Sequence, residues 1–404
     1  MSQQTFTRVV ECLAATTRYP HEFFTPDADM EEQLGIDSVK RVEILISLGQ
    51  EFNLGLQSES YDPSIRTVGD VAAWIESLLP AEQPAVREQA SQPVKVEREV
   101  PSRVAAVERI SPPHGIPAPH VSPGRSVSPG LYREAQPAQV GQPLAGRTAL
   151  VTGSGRGAGR VIARVLADRG AHVIINSFHS RDLGEKTAAE INALGGSAEH
   201  VWGSVANPDH VNRMFDEIGA GPGLDILICN ASDGRVGSFL EITAKDWDRA
   251  FRTNVSGHHH CAVRAAEIMK PRGGGAMVTM SAVGAHQFIA GLGSQGVVKA
   301  AVESLTRYLA CELGPSGIRV NCVAGGPVYG ELLEQFPDSR AAQNHWESRT
   351  PDGELCTPLD LAETIAFLVS DQARGINGAV WMVDHGFSAT ADGQLQRRAV
   401  PARV

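Results

Sequence analysis

Hydrophobic and polar residues alternate in two different patterns along the chain. In residues 1–80 the apolar positions repeat at helical spacing, as in Val39, Val42 and Leu45, which predicts a compact helical unit. In residues 145–390 short apolar runs alternate with amphipathic segments. That alternation is typical of parallel strands joined by helices, so it predicts a doubly wound α/β sheet. The pattern therefore predicts two folded domains of different class.

A proline-rich segment, residues 81–144, separates the two predicted domains. Half of the 24 prolines lie between Pro80 and Pro143, and this composition favours an extended linker. A segment of this length reaches roughly 45 Å as a flexible coil and roughly 200 Å as a polyproline helix. We therefore expect the two domains to move relative to each other. Residues 391–404 are polar and are predicted to form a loose tail.

The 404-residue chain is acidic, with a formal net charge of −10 at pH 7. Residues 1–80 carry most of this excess, with 13 Asp and Glu against 5 Lys and Arg. The balance excludes a protein that binds nucleic acid through a basic surface. The apolar runs are too short for a transmembrane helix, and the first residues lack the pattern of a secretory signal. A cytoplasmic location without membrane contact is therefore expected.

Neither the cysteines nor the histidines have the spacing of a metal site. The six cysteines are scattered without a C-x-x-C pair, which favours free thiols in a reducing compartment. His258, His259 and His260 are consecutive, and consecutive helical side chains point roughly 100° apart, so they do not converge on one ion. No metal cofactor is expected.

Ser38 lies at the predicted start of a helix, where a serine commonly serves as the N-cap and where an anionic group is also favoured. The segment Leu34-Gly-Ile-Asp-Ser-Val-Lys40 closely resembles the attachment motif of acyl carrier proteins, in particular those of polyunsaturated fatty acid and polyketide synthases. Residues 67–71 resemble the last helix of such carriers. The resemblance covers nearly all of residues 1–80 and implies a small four-helix bundle with 4'-phosphopantetheine attached to Ser38.

The resemblance to carriers also implies partners. A phosphopantetheinyl transferase would modify Ser38, acyl thioesters would be carried on the thiol of the arm, and enzymes of polyketide or fatty acid synthesis would act on them. Glu31, Glu32, Asp37 and Glu43 would then face basic patches on these enzymes. The alternative for the four acidic residues is a solvated face without a partner.

A glycine-rich turn follows the first predicted strand of the second domain. The strand ends at Thr152, and the turn contains Gly153, Gly157 and Gly159 before an amphipathic helix begins. Such glycines let a pyrophosphate approach the N–H groups at a helix N-terminus. Because strand, turn, helix and a second strand occur in this order, the sequence predicts a dinucleotide site.

The end of the second predicted strand indicates which dinucleotide is preferred. Asn176 and Ser177 stand where a carboxylate would favour the 2'-hydroxyl of NAD(H). Arg156 lies in the glycine turn and is suited to a 2'-phosphate. The sequence therefore favours NADPH over NADH.

Residues 146–390 resemble the short-chain dehydrogenase/reductase family, and within it the enoyl-acyl carrier protein reductases. Besides the glycine turn, the segments that carry the resemblance are residues 229–231, 300–313, 323–328 and 383–386. The resemblance implies a Rossmann fold and a homo-oligomer. It also implies a cofactor-binding role for Asn230, Lys299 and Val328, and a catalytic role for Asn254, Ser281 and Lys299.

The catalytic tyrosine of that family is missing at both of its usual spacings. It stands four residues before the lysine in ketoreductases and seven before it in many enoyl reductases; these positions hold Gln295 and Leu292 here. An ungapped alignment from Ser281 favours Leu292 as the substituted position, with Phe288 near a second position that is often aromatic. Neither glutamine nor leucine can act as a general acid.

Other side chains are candidate replacements for the phenol. Tyr308 falls on the far side of the helix that carries Lys299, which leaves Tyr329 as the candidate tyrosine. His286 and Ser294 are further candidates. Two hypotheses result: an NADPH-dependent reductase of enoyl or 3-oxoacyl thioesters fused to its carrier, and a carrier fused to a degenerate dehydrogenase fold that binds cofactor or docks a partner.

Overall fold

A computed structural model describes residues 2–17, 19–31, 33–36, 38–55, 65–79, 142–334, 336 and 338–390. Most of the predicted linker and the whole predicted tail lie outside these residues. Among the described residues, no helix combines the length and the apolar composition that crossing a membrane requires.

The N-terminal domain is helical, as predicted. Its described helices are α1 (Gln3–Thr17), α2 (Ser38–Glu51) and α3 (Val68–Leu78), with a 3-10 turn at His21–Phe23. The side chain of Thr67 accepts a hydrogen bond from the N–H of Asp70, and that of Asp70 accepts one from the N–H of Thr67, which fixes the start of α3. The apolar faces of these helices meet in one core, which contains Val9, Leu13, Leu34, Leu48 and Ile75.

The C-terminal domain is the predicted doubly wound α/β sheet. Within the described residues seven strands pair in the order β3-β2-β1-β4-β5-β6-β7, and every pair is parallel. The strands are β1 (Thr148–Val151), β2 (His172–Ser177), β3 (Ser197–Trp202), β4 (Ile226–Cys229), β5 (Gly275–Ala282), β6 (Ile318–Gly325) and β7 (Val380–Val383). The helices are α4 (Gly157–Asp168), α5 (Arg181–Ala193), α6 (Pro208–Ala220), α7 (Ala244–Phe251), α8 (Gly257–Met269), α9 (Gln295–Leu313), α10 (Glu331–Glu334), α11 (Ser339–Arg349) and α12 (Pro358–Val369).

Both faces of the sheet are covered by helices. Successive residues of a strand point to opposite faces, and in β1 Ala149 and Val151 face one core while Leu150 faces the other. The first core lies under α4 and α12, and the second lies under α6, α8 and α9. Burial on both sides explains why the central strands are almost continuously apolar.

The folded C-terminal domain begins before residue 145, the predicted boundary. Leu144 is fully buried in the core under α4 and α12, and its N–H donates to the carbonyl of Arg169. Leu144 is a single apolar residue at the end of a proline-rich stretch, so the hydrophobic pattern does not distinguish it from the linker.

Candidate active site

A cavity of about 520 Å³ opens at the carboxyl ends of the strands. This is the edge at which parallel α/β sheets usually bind ligands, on either side of the strand where the chain reverses its winding. Seven of the residues predicted to bind the cofactor line it: Gly153, Arg156, Gly157, Gly159, Ser177, Asn230 and Val328.

The glycine turn forms a cradle at one wall of this cavity. Gly153 and Gly157 have φ angles of +64° and +56°, which favour glycine. A Cβ at Gly159 would lie 2.5 Å from the side-chain nitrogen of Asn230, whereas a Cβ at Gly157 would meet nothing within 4 Å. The turn thus leaves open space in front of the N-terminus of α4. These residues fit the pyrophosphate of a dinucleotide.

The end of β2 supports the turn and forms the neighbouring wall. Asn176 is buried; its Oδ1 accepts from the N–H of Gly153 at 3.1 Å, and its Nδ2 donates to the carbonyl of Gly203 at 3.0 Å. The hydroxyl of Ser177 lies 2.8 Å from Nε2 of His200. Burial lowers the pKa of His200 to about 4, so its ring is neutral at pH 7. The wall therefore presents amide and hydroxyl groups rather than a carboxylate.

Lys299, the eighth residue predicted to bind the cofactor, is not among the described residues that line the cavity. It forms a buried pair with Asn254, which bonds the lining residues Ser232 and Asp233. The Nζ of Lys299 donates to Oδ1 of Asn254 at 2.9 Å, and the hydroxyl of Ser232 donates to the same oxygen at 2.7 Å. Asn254 lies in a π-helical turn, Arg252–Ser256, a distortion that often occurs at functional sites. Burial lowers the pKa of Lys299 to about 8. The structure thus brings together two of the three predicted catalytic residues.

Ser281, the third predicted catalytic residue, contacts a carboxylate that the sequence analysis missed. Its hydroxyl donates to Oε1 of Glu303 at 2.7 Å, and Nε2 of His286 lies 3.0 Å from the same oxygen. Glu303 is buried and lies one helical turn after Lys299 in α9. The spacing in the sequence could have identified Glu303, because a Glu four residues after the predicted active-site Lys shares its helix face.

The structure changes the interpretation of the missing tyrosine. Helix α9 begins at Gln295, so Leu292 precedes the helix and does not share the face of Lys299. The Leu292 side chain instead belongs to an apolar cluster with Val283, and its backbone forms a bridge with Gly237. The prediction that Leu292 replaces the tyrosine assumed a longer helix and is corrected by the helix boundary.

Gln295 lies one turn before Lys299 and next to the Asn254 network. Its side-chain N–H donates to the carbonyl of Asp233 at 2.8 Å, and Nδ2 of Asn254 donates to the same carbonyl at 2.6 Å. Its side-chain oxygen is buried and has no hydrogen-bond partner in the described part of the chain. A neutral amide therefore occupies the position four residues before Lys299.

The other candidate acids serve different purposes. Tyr329 lines the cavity, but its hydroxyl donates to Glu347 at 2.8 Å and accepts from the N–H of Leu355 at 3.3 Å. Burial, the largest cause, and the neighbouring Glu347 raise the pKa of this phenol. Tyr308 is 72% exposed, on the outer side of α9 as predicted. The hydroxyl of Ser294 is buried without a partner among the described residues.

The first of the three consecutive histidines lies near Lys299 and below the cavity lining. His258 is buried and its Nε2 donates to the carbonyl of Ala231 at 3.1 Å. Burial, together with the charge of Lys299, lowers the pKa of His258 to about 3. His259 is exposed. The first of the three thus packs beneath the cavity.

Ser38 is the first residue of α2, as the motif predicted. Of the four acidic residues around it, Glu31 pairs with Arg41 at 3.4 Å and Glu43 pairs with Lys40 at 2.8 Å. Glu32 and Asp37 lie outside the described residues.

Two family models match the chain. Residues 153–388 match the model described as "Enoyl-(Acyl carrier protein) reductase", and residues 7–75 match the model described as "Phosphopantetheine attachment site". The first match spans more than half of the chain. The chain belongs to the enoyl-(acyl carrier protein) reductase family. A phosphopantetheine-attachment domain is fused to this reductase-family domain, so both predicted resemblances are confirmed.

Curated relatives of this family member include reductases of two kinds of acyl thioester. The 1-cyclohexenylcarbonyl-CoA reductase of Streptomyces collinus is 33% identical over 61% of this chain and 88% of its own. The 3-oxoacyl-[acyl-carrier-protein] reductase FabG of Staphylococcus aureus is 33% identical over 59% of this chain and 97% of its own. Similarity to both kinds leaves the substrate class of this reductase-family domain open.

A solved structure with the same fold contains a dinucleotide. The gluconate 5-dehydrogenase of Burkholderia cenocepacia J2315, solved in complex with NADP and tartrate, is 30% identical with a TM-score of 0.59. The similarity covers 61% of this chain and 97% of that protein. The matched 61% of this chain has the length of the reductase-family domain alone, without the carrier domain.

Proposed function

We propose that this protein reduces acyl thioesters carried on its own Ser38, with NADPH as the cofactor and enoyl groups as the preferred substrate. The observation that carries the proposal is the buried Lys299–Asn254 pair, which bonds Ser232 and Asp233 in the lining of the cavity that contains the glycine cradle. Arg156 at the cradle and the uncharged end of β2 support NADPH over NADH. The gluconate 5-dehydrogenase that holds NADP supports the same cofactor.

When bound, NADPH supplies the hydride for such a reduction. The residues of this chain must then hold the negative charge on the substrate oxygen and supply a proton. Gln295 and Asn254 fix the backbone of Asp233 beside Lys299, and Lys299 is mostly protonated at pH 7 because its pKa is about 8. Lys299 is therefore the group that we assign to stabilise charge and release a proton.

The amide at position 295 favours enoyl over 3-oxoacyl substrates. Reduction of a ketone places a full charge on the alkoxide oxygen and needs an acid in contact with it. Reduction of an enoyl thioester leaves an enolate whose charge is shared with the thioester oxygen, so protonation at carbon can follow more slowly. Gln295 cannot donate a proton to an alkoxide, and the second reaction suffers less from this loss.

The carrier domain would raise the local concentration of substrate. An acyl chain tethered through a linker reaches effective concentrations on the order of millimolar. Transfer of phosphopantetheine to Ser38, and of acyl groups to its thiol, requires a transferase and enzymes of fatty acid or polyketide synthesis as partners. The six free cysteines suit the reducing cytoplasm that we predict for this reaction.

The deciding experiment follows oxidation of NADPH, and of NADH in parallel, by the phosphopantetheinylated protein. Matched enoyl and 3-oxoacyl thioesters are supplied free and on Ser38. We expect turnover of the enoyl substrate, faster when it is carried on Ser38. In the Ser38→Ala variant only the free thioester can be reduced. Faster reduction of the 3-oxoacyl substrate would contradict the proposed preference.

A second function is favoured by the loss of the phenol itself. Gln295 in the tyrosine position is what a reductase fold retained only for binding would tolerate. In that case the protein binds NADPH but turns over neither thioester. Binding without turnover in the same experiment would therefore establish a carrier fused to a cofactor-binding scaffold.

A further inference from the structure

An aromatic cluster joins the carrier domain to the reductase-family domain. Trp202 ends the edge strand β3, yet its side chain is only 6% exposed and packs with the core of the carrier domain. The ring of Tyr19 is equally covered, and its centroid lies 4.3 Å from that of Trp202. Burial of two large aromatic rings against each other is a strong apolar contact.

Phe23 enters this cluster from the 3-10 turn of the carrier domain. Its ring centroid lies 5.4 Å from the rings of Trp202 and His210, edge to face in both cases. The guanidinium of Arg213 lies 4.3 Å from the centroid of the Phe23 ring, a cation–π contact. Burial lowers the pKa of His210 to about 4, so this ring packs as a neutral aromatic at pH 7. Phe23 is thus held by contacts that come from the other domain.

The segment before Ser38 takes part in the same contact. The carbonyl of Gly35 lies 3.3 Å from Nδ1 of His179. Gly35 has a φ of +63°, and a Cβ at this position would lie 2.8 Å from the ring of Phe178. A glycine is therefore needed here both for the turn and for the approach of the two domains.

The contact with the carrier reaches the wall of the cofactor cavity. Phe178 and His179 line that cavity directly after Ser177. The carbonyl of Phe178 accepts from the hydroxyl of Tyr19 at 3.4 Å and from Nε1 of Trp202 at 3.0 Å. Among the described residues, those that line the cavity all belong to the reductase-family domain. The carrier therefore holds this wall from outside and leaves the cavity open.

This wall lies at the end of the cavity assigned to the adenosine part of the cofactor. Ser281 is the next-to-last residue of β5, which lies three strands away from β2 in the sheet. At about 4.8 Å between neighbouring strands, the two ends are on the order of 14 Å apart. The contact is therefore distinct from the approach of an acyl chain to Lys299.

We propose that the carrier domain docks on the adenosine end of its own reductase-family domain, and that docking and cofactor binding strengthen each other. The docked carrier contacts Phe178 and His179, and the same two residues line the cofactor cavity, so each event would restrict this short segment. Two ligands that order the same residues bind cooperatively, and the coupling is reciprocal. The coupling rests on the proposed cofactor site, whereas the docking contact itself does not.

The test compares the full-length protein with a Phe23→Ala variant and an Arg213→Ala variant. Small-angle X-ray scattering reports whether the carrier is docked, and fluorescence titration with NADPH reports the Kd. We expect both variants to become more extended and their Kd for NADPH to rise at least about fivefold, the lower end of usual couplings. Where part of the wild-type protein has an undocked carrier, adding NADPH should also make its average shape more compact.

An Arg8→Ala variant is the matched control. The guanidinium of Arg8 lies 4.3 Å from the centroid of the Phe52 ring, which is the same kind of contact made entirely inside the carrier domain. Neither the scattering nor the Kd should change. Arg213→Ala leaves the carrier sequence intact, so an effect shared by both test variants is not a folding defect of the carrier.

Each other outcome overturns part of the proposal. Scattering from the wild-type protein that matches both variants would overturn docking. More extended variants with an unchanged Kd for NADPH would overturn the coupling and leave docking. Failure of the protein to reduce any thioester bears on neither result, because both measurements are made without substrate.

Discussion

The two ends of the cavity differ in how far they keep the chemistry of the family. At the predicted dinucleotide end, the three glycines of the turn and Asn230 line the cavity and form an intact cradle. Behind the lining residues Ser232 and Asp233, the Lys299–Asn254 pair remains, but Gln295 places an amide four residues before Lys299.

The difference shows which parts of a site tolerate change. A cradle for a phosphate depends on backbone conformation, and a Cβ at Gly159 would collide with Asn230. A general acid depends on one functional group, so it can be lost by one substitution while the fold and the binding of cofactor persist. The largest functional differences are therefore expected from residue 295.

Restoring the phenol should produce the largest effect. A Gln295→Tyr variant places a tyrosine one turn before Lys299, where the cation lowers the pKa of the phenol. We expect reduction of a 3-oxoacyl thioester to rise by roughly 10²- to 10⁴-fold, the usual contribution of a general acid. The measurement is kcat/KM for the two thioester classes.

Leu292→Tyr is the matched control for this substitution. Leu292 precedes α9 and packs against Gly284, so a phenol there does not share the face of Lys299. No gain is expected. If Leu292→Tyr gained activity and Gln295→Tyr did not, the assignment of Gln295 to the tyrosine position would be wrong.

Burial of Lys299 should make the stability of the protein depend on pH. Burial lowers its pKa to about 8 from an ordinary value of about 10.4. Between these values the unfolded chain binds more protons than the folded protein, so the free energy of unfolding should rise with pH by roughly 3 kcal/mol. Below pH 8 Lys299 is protonated in both the folded and the unfolded protein. The cost of burying its charge then lowers the free energy of unfolding in full.

Denaturant unfolding between pH 7 and 10 tests this prediction. The Lys299→Met variant should lose the rise in stability, whereas Lys186→Met, at an exposed position in α5, should keep it. The same rise in both variants would mean that other groups cause it.

The smallest effect is expected at Tyr329. Tyr329→Phe removes a hydroxyl that bonds Glu347 and the N–H of Leu355, at a cost of about 1 kcal/mol in stability. Because this phenol is held away from proton transfer, kcat should change less than about threefold. A loss of kcat of a hundredfold with unchanged stability would instead make Tyr329 the missing acid.

The glycine turn and Ser38 show what local pattern can determine. Strand, turn and helix follow one another within 21 residues, and the carrier motif occupies seven consecutive residues, so both patterns are visible without knowledge of the fold. The helical and the α/β class of the two domains were predicted for the same reason, because hydrophobic periodicity is a local property.

Gln295, Glu303 and Trp202 show what only the tertiary structure decided. The start of α9, and so the residue in the tyrosine position, depends on how the preceding loop packs against Gly237 and Val283. Contacts of Glu303 with Ser281 and of Trp202 with Tyr19 join residues that are distant in sequence. Such contacts depend on packing across the whole molecule, which the spacing of residues within one segment does not contain.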